Sequence, residues 1–152
     1  MELVVFRSGG QDFALPAREV QEVVLRPLTI QVGPQPAWMD GFFSVDGRTV
    51  ALLRLDRLLQ LEEDREDLYS HVVLLQEHPM ALSVARVLEV TRVEADKLKP
   101  LPEAHTFNRA VAALIERKSG PVALLSGRRL LLEEEQERLL SWAALAEERL
   151  NG

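Results

Sequence analysis

The chain contains no cysteine. That absence excludes disulfides, thiolate nucleophiles and Cys-based zinc or iron–sulfur centres, and it fits a reducing compartment. Histidine is nearly as scarce. His71, His78 and His105 do not form the HExxH or i, i+4 pairs that present two imidazoles to one ion, so no metal site is expected. No apolar run approaches the roughly 20 residues needed to cross a bilayer. Residues 1–10, MELVVFRSGG, carry no basic segment followed by an apolar stretch of secretory length, and the protein is expected to be cytoplasmic and not membrane-embedded. Serine lies in no GxSxG, and neither GxxxxGK[ST] nor GxGxxG occurs, which removes the common nucleophile and phosphate-loop signatures. Aromatic residues make up only 5%, with two Trp and one Tyr, and the net charge is −6. A nucleic-acid-binding small barrel needs a basic groove and stacking rings, so that alternative is disfavoured and no nucleic-acid partner is expected.

What is present is apolar and patterned. Of 152 residues 47% are hydrophobic, enough for one domain or for two small halves sharing a core. Charges alternate locally, as in REVQEVVLR and EEEQERLL, the pattern of a solvated face. The acidic clusters at 62–67 and 133–137 lack the ligand spacing of a calcium loop and read as a connector and a helix start. No cofactor is implied.

The first half reads as short strands separated by turns. Leu3–Phe6 is β-prone, Ser8-Gly9-Gly10-Gln11 is a tight turn, and Phe13-Ala14-Leu15 begins the return strand. A short helical turn at Ala17–Glu19 precedes a strand through Val20, Val23 and Val24. Pro27, Pro34 and Pro36 then impose an irregular extended path. Asp46-Gly47 lies between Phe43-Ser44-Val45 and Thr49-Val50-Ala51-Leu52, the strongest short-range hairpin signal, because a type I′ turn needs positive φ at both central residues. Leu55, Leu58 and Leu59 suggest one or two helical turns.

After EEDREDLYS the chain begins again. ALPAREVQEV (14–23) aligns with ALSVARVLEV (81–90), and VALLRLDRLL (50–59) aligns with VALLSGRRLL (122–131) with seven of ten positions identical. Two ordered matches at similar offsets indicate an internal duplication. About five short strands per half favour small barrels. The segment KPLPE reads as a loop. RAVAALIER fits either a strand turning at Lys118-Ser119-Gly120 or a helix, and periodicity does not decide between them. From Glu133, Leu139, Trp142, Ala143, Ala146 and Leu150 form one stripe of an amphipathic helix with glutamates in its first turn. Trp142 is expected to cover a barrel face.

With no catalytic set, the apolar residues Trp38, Met39, Phe42, Phe43 and Met80 are divided between core and docking roles, and an interaction module is the expected class. In order along the chain, VVFRSGGQDFALPAREVQEV, LTIQVGPQPAWMDG, FFSVDGRTVALLRLDRLL, ALSVARVLEV and VALLSGRRLL resemble the bacterial chemotaxis coupling proteins of the CheW family. The resemblance implies an all-β fold of two pseudo-symmetric five-stranded SH3/OB-like barrels sharing one core, with short helices and a C-terminal amphipathic helix. The approximate division is a first barrel at 1–66, a second at 67–132 and the helix at 133–151, within one domain spanning 1–152. It also implies a non-catalytic signalling adaptor between a chemoreceptor cytoplasmic domain and the regulatory domain of a CheA-type histidine kinase, or a scaffold or competitor binding only one of them.

Ser44, Asp46 and Arg48 should face outward at the hairpin tip, with Phe43 beside them on the docking surface. On the family arrangement, Ile30 and Arg86 would be neighbours across the cleft between the barrels. Gly41 and Gly47 are structural, one for close backbone approach and one for positive φ. The chain departs from the family pattern at Asp46, where relatives carry Arg in NLRG. Arg54, Ala85 and Ser126 stand where the family has aspartates, and Gly33-Pro34 inverts its Pro-Gly turn.

Overall fold

The glycine turns close where the sequence puts them. In the computed structural model, which describes residues 1–64, 70–101 and 109–151, Gly9 and Gly10 take φ of 58° and 75°, and Asp46 and Gly47 take 48° and 78°. Both pairs therefore have the doubly positive φ of a type I′ hairpin. The first joins β1 (Glu2–Ser8) to β2 (Gln11–Pro16), and the second joins β4 (Met39–Val45) to β5 (Arg48–Arg54). Between them lie a 3₁₀ turn at Ala17–Glu19 and β3 (Val20–Leu25). One helical turn, α1 (Leu55–Leu58), follows β5. The second half supplies β6 (His71–Leu75), β7 (Met80–Val84), β8 (Arg86–Arg92), β9 (Leu98–Pro100), β10 (Val111–Ile115), β11 (Val122–Leu125) and the helix α2 (Glu133–Asn151). RAVAALIER is thus a strand. It pairs antiparallel with β11, and the turn at Gly120 (φ 117°) closes the pair. Lys99 and Pro100, read as loop, belong to a three-residue edge strand on β10, where proline is tolerated. The rest of KPLPE after Leu101 and His105 lie outside the described residues.

The strands form two sheets. One runs β8-β1-β2-β11-β10-β9 and the other β3-β6-β7-β5-β4. The all-β reading holds, with one sheet carrying a sixth, short strand. The halves, however, do not each build their own sheet. β1 and β2 join strands of the second half, while β6 and β7 join strands of the first, so the division at 66/67 does not separate the sheets. Each sheet joins the halves twice, once through an antiparallel pair, β1 with β8 or β3 with β6, and once through a parallel pair. Phe13 and Ala14 face Ala123 and Leu124, and Met80 and Ala81 face Ala51 and Leu52. These are the same pairs under the two sequence offsets.

The duplication extends to the irregularities. Gln21 is the bulged residue where β3 meets β6, and its counterpart Leu88 is bulged where β8 meets β1. Asp40 in β4 and Ala112 in β10 repeat a second bulge. Bulges set local twist and strand direction, so their repetition gives both sheets the same curl. Arg48 Nη1 donates to Gln21 Oε1 at 3.0 Å, linking β5 to β3 at the far edge of its sheet. Arg117, just beyond β10, pairs with Glu89 of β8 across the other sheet. Each sheet is therefore rolled, with an interior of its own.

Those interiors are one residue set used twice. Leu3, Val5, Ala14, Ile115, Val122 and Leu124 fill one, and Val72, Leu74, Ala81, Phe43, Val50 and Leu52 fill the other. The opposite faces of the same strands meet in a shared core that includes Phe6, Phe13, Leu15, Phe42, Leu53 and Leu82. Phe6 and Phe13 stack across β1 and β2 with centroids 6.4 Å apart. Burial on both faces explains why β5, β6 and β7 read as continuous apolar runs rather than alternating ones. α2 adds Leu139 and Ala146 to the shared core, with Trp142 and Ala143 packed against it, so Trp142 covers this core as expected.

One polar chain crosses the junction. Arg54, 5% exposed, donates from Nε to Asp56 Oδ1 at 3.0 Å and from Nη2 to Oδ2 at 2.6 Å. Asp56 also accepts from the backbone of Arg57 and of Asp64. The Asp64 carboxylate in turn accepts from Gly9 N–H and from the buried Ser8 hydroxyl at the β1–β2 turn. Burial alone would raise the Asp56 carboxyl, but the Arg54 hydrogen bonds, the two backbone N–H groups and the guanidinium charge outweigh it and hold the carboxyl below its usual range. The pair therefore stabilises the fold at neutral pH, and that contribution is lost as pH falls from the ordinary carboxylate range through the lower folded value. Asp56→Asn, which leaves Arg54 buried beside a neutral partner, is expected to cost about 3 kcal/mol at pH 7. In urea unfolding the gap to the native protein should narrow steadily below about pH 4. A gap that stays constant with pH would show that the charge of Asp56 is not what matters.

Candidate docking surface

The β4–β5 hairpin projects Ser44, Asp46 and Arg48 into solvent, as the alternation predicts. Phe43 does not join them. It is 4% exposed and fills the position in its barrel interior that Ile115 fills in the other, so the expected docking role for Phe43 is corrected to a core role. A strand buried on both faces leaves no outward side for an aromatic residue at this position.

Ile30 is pinned to β4 by an isolated bridge, donating to Phe42 O and accepting from Phe42 N–H, both at 2.8 Å. The bridge depends on Gly41. A Cβ there would lie 2.5 Å from Ile30 O, and φ is 134°. Arg86 is exposed on β8 opposite Arg7, in the other sheet. No strand pairing links it to Ile30, so the register does not bring these two together as neighbours.

A different set of residues comes together instead. β3 and β8 are the repeat-related edge strands of the two sheets, and they meet at His71. Leu25 of β3 is the register partner of His71, and Val87 of β8 donates its N–H to His71 Nδ1 at 2.8 Å. On these strands and the segment after β3, apolar side chains stand in solvent: Val23 (40%), Leu25 (66%), Leu28 (98%), Leu88 (39%) and Val90 (64%). Large exposed aliphatic residues grouped on two adjoining edges mark an interaction surface. Sequence reasoning passed over all five. The available signal was the repeat itself, since Val23 and Val90 are equivalent positions of the duplicated strand and both stayed apolar.

Among the described residues no cluster of His, Asp or Glu is arranged to hold a metal ion. Nor is any described helix long and apolar enough to cross a membrane.

The CheW-like domain model matches residues 2–135. The chain belongs to the CheW-like family. Of the solved structures, the crystal structure of the scaffolding protein TtCheW from Thermoanaerobacter tengcongensis superposes with a TM-score of 0.78 at 17% identity, covering 86% of this chain and 87% of that one. Among curated proteins none gives a significant match. Membership makes the protein a chemotaxis-type scaffold rather than an enzyme.

Two further features tie the chain together. Nearly all of α2 lies beyond the matched residues, yet it is tied in by Trp142 and by Arg149 Nη1, which donates to Gln31 O at 3.0 Å. Arg54 finds its carboxylate two residues on in Asp56.

The two structural glycines separate cleanly by experiment. Gly41→Ala drives a methyl group into the Ile30 carbonyl at an unfavourable φ and is expected to cost about 3 kcal/mol. Gly47→Ala meets open space and carries only the left-handed backbone penalty, about 1 kcal/mol. Chemical denaturation of the two variants gives the comparison, and equal losses would refute the close-approach reading.

Proposed function

We propose that the protein couples the cytoplasmic tip of a chemoreceptor to the regulatory domain of a CheA-type histidine kinase, working on the cytoplasmic side of the membrane. The observation that carries the reading is the pair of repeat-related edges, β3 and β8, with their aliphatic side chains in solvent on either side of His71. An amphipathic helix laid along these edges buries its apolar stripe against them, as in helix-in-groove recognition. That suits a helical receptor tip.

The kinase regulatory domain is assigned to the β4–β5 hairpin, through Ser44, Asp46 and Arg48, with Ile30 supporting its base and Arg86 at the rim of the cleft. A second reading is favoured by one residue. Asp46 carries negative charge where the family pattern has Arg, and like-charge contact with a partner selected for arginine weakens that one contact. The protein would then act as a scaffold for the receptor, or as a competitor, with reduced hold on the kinase.

Val90→Asp and Leu25→Asp test the cleft. Each residue is mostly exposed, so stability should stay within about 0.5 kcal/mol of native. Affinity for a receptor-tip fragment in a pull-down should fall about tenfold or more. Asp46→Arg should leave receptor binding alone and strengthen binding of the kinase domain. If neither the native protein nor Asp46→Arg retains either partner, the coupling function is wrong.

A further inference from the structure

His71 is the first residue of β6, and its side chain stands on the face that meets the other sheet. Val73 and Leu75, which alternate with it, belong to the shared core, whereas Val72 and Leu74 fill a barrel interior. From that face its Nδ1 accepts the N–H of Val87 at 2.8 Å. Val87 lies on β8, the edge strand of the other sheet, beside the bulged Leu88, and its side chain packs against the shared core. A part-buried backbone N–H needs an acceptor, and here an imidazole of the other sheet supplies it. The duplication does not repeat the contact: Val20, the counterpart of Val87, gives its N–H to Ala17 O instead.

Accepting at Nδ1 fixes the state of the ring. A neutral imidazole that accepts there carries its hydrogen on Nε2. An imidazolium carries hydrogens on both nitrogens and only donates, so it would face the Val87 N–H as donor against donor. Histidines cross between these forms between about pH 5 and about pH 8. The charged groups on the strands packed against His71 offer the imidazolium no replacement. On β3, Leu25 is its register partner, and Arg26, which follows, pairs with Asp40 at 2.9 Å. On β8, Arg86 precedes Val87 opposite Arg7, which pairs with Asp12, while Glu89 pairs with Arg117. β7 faces His71 with Val84 and contains no ionisable residue. Among the described residues no carboxylate forms an ion pair with His71.

We propose that His71 is a pH-sensitive latch between the two sheets, holding β8 to the end of β6 while its ring is neutral and releasing it when the ring is protonated. The latch sits within the surface assigned to the receptor tip. Val23 and Leu25 are register partners of Val73 and His71, and Val90 is the partner of Val4. The exposed aliphatic residues of both edges therefore lie on the shared-core face that carries the latch. Releasing it changes how the two edges fit one helix. That consequence rests on the coupling reading, whereas the latch itself does not.

The test follows the full-length 15N-labelled protein by NMR from about pH 8 to about pH 5.5, across the range in which histidines take up a proton. At the upper end the His71 ring should show a bare Nδ1 and a protonated Nε2, with a scalar coupling across the hydrogen bond between Nδ1 and the Val87 amide nitrogen. On acidification that coupling should vanish, and the Val87 amide should shift with the same midpoint as the ring. His71→Asn offers an uncharged acceptor at similar reach and should hold the Val87 amide signal constant over the range. His71→Phe removes the acceptor and should speed exchange of the Val87 amide at every pH. Binding of a receptor-tip fragment should weaken about fivefold more for the native protein than for His71→Asn over the same range, the variant correcting for titration elsewhere. A ring protonated at Nδ1 at the upper pH would overturn the latch. So would a Val87 amide that ignores the ring's titration, or one that follows the same pH course in His71→Asn. Equal pH responses of fragment binding in the two proteins would overturn its bearing on docking. A fragment that binds neither protein at any pH would refute the coupling reading, while the ring and Val87 signals still decide the latch.

Discussion

Neither sheet can close with strands from its own half of the chain. β2 needs β11 beside it and β7 needs β5, and both joints are parallel pairs. A parallel pair cannot form through a local turn, so these joints appear only when distant segments meet. The consequence is that the two barrels are one folding unit. Residues of both halves fill each interior, and the opposite faces of the same strands fill the shared core. Non-local pairing of this kind implies slow, cooperative folding with little stability in either half alone. The chain Arg54–Asp56–Asp64–Gly9 links the end of β5 in one sheet to the β1–β2 turn of the other, where an unpaired buried charge would be costly.

Much of this was legible in the sequence, and the illegible part has a definite cause. Gly9-Gly10 and Asp46-Gly47 announced their hairpins because only residues tolerant of positive φ suit both central positions of a type I′ turn. The matches at 14–23 with 81–90 and at 50–59 with 122–131 announced the duplication. What the matches do not contain is the choice of partner. A closed half and an exchanged half place the same residues in the same local environments, so no periodicity separates them. Phe43 was misread for a related reason. Solvent-facing neighbours at 44, 46 and 48 suggest an exposed hairpin throughout, whereas the inner face of a rolled sheet takes Phe43 and Val45, which alternate with them. Val23, Leu25, Leu88 and Val90 were missed because an apolar residue in a strand is ordinarily core. Their exposure follows from lying on edges, which depends on strand order.

The exchange also decides where partners are met. The repetition puts equivalent residues at related places of the two halves, and two such places differ in character. At the β3 and β8 edges the equivalent valines 23 and 90 stayed aliphatic and exposed. Around α1 and the turn at Gly127–Arg129 the equivalents are arginines 57 and 129. Exposed aliphatic edges suit a helix with a hydrophobic stripe. One duplicated scaffold thus carries related positions of different chemistry.

The charge at position 46 looks different once the turn is considered. Residue 46 is the first central position of the hairpin with φ of 48°, a conformation that aspartate and asparagine adopt far more readily than arginine. A turn of this type therefore has its own reason to hold Asp46, whatever the partner requires. Two residues on, Arg48 restores a positive charge at the same tip, and its bond to Gln21 fixes its position against β3. The tip is accordingly a fixed pair of opposite charges rather than a simple reversal. The backbone constraint alone thus accounts for Asp46, and Arg48 offsets its charge at the same tip.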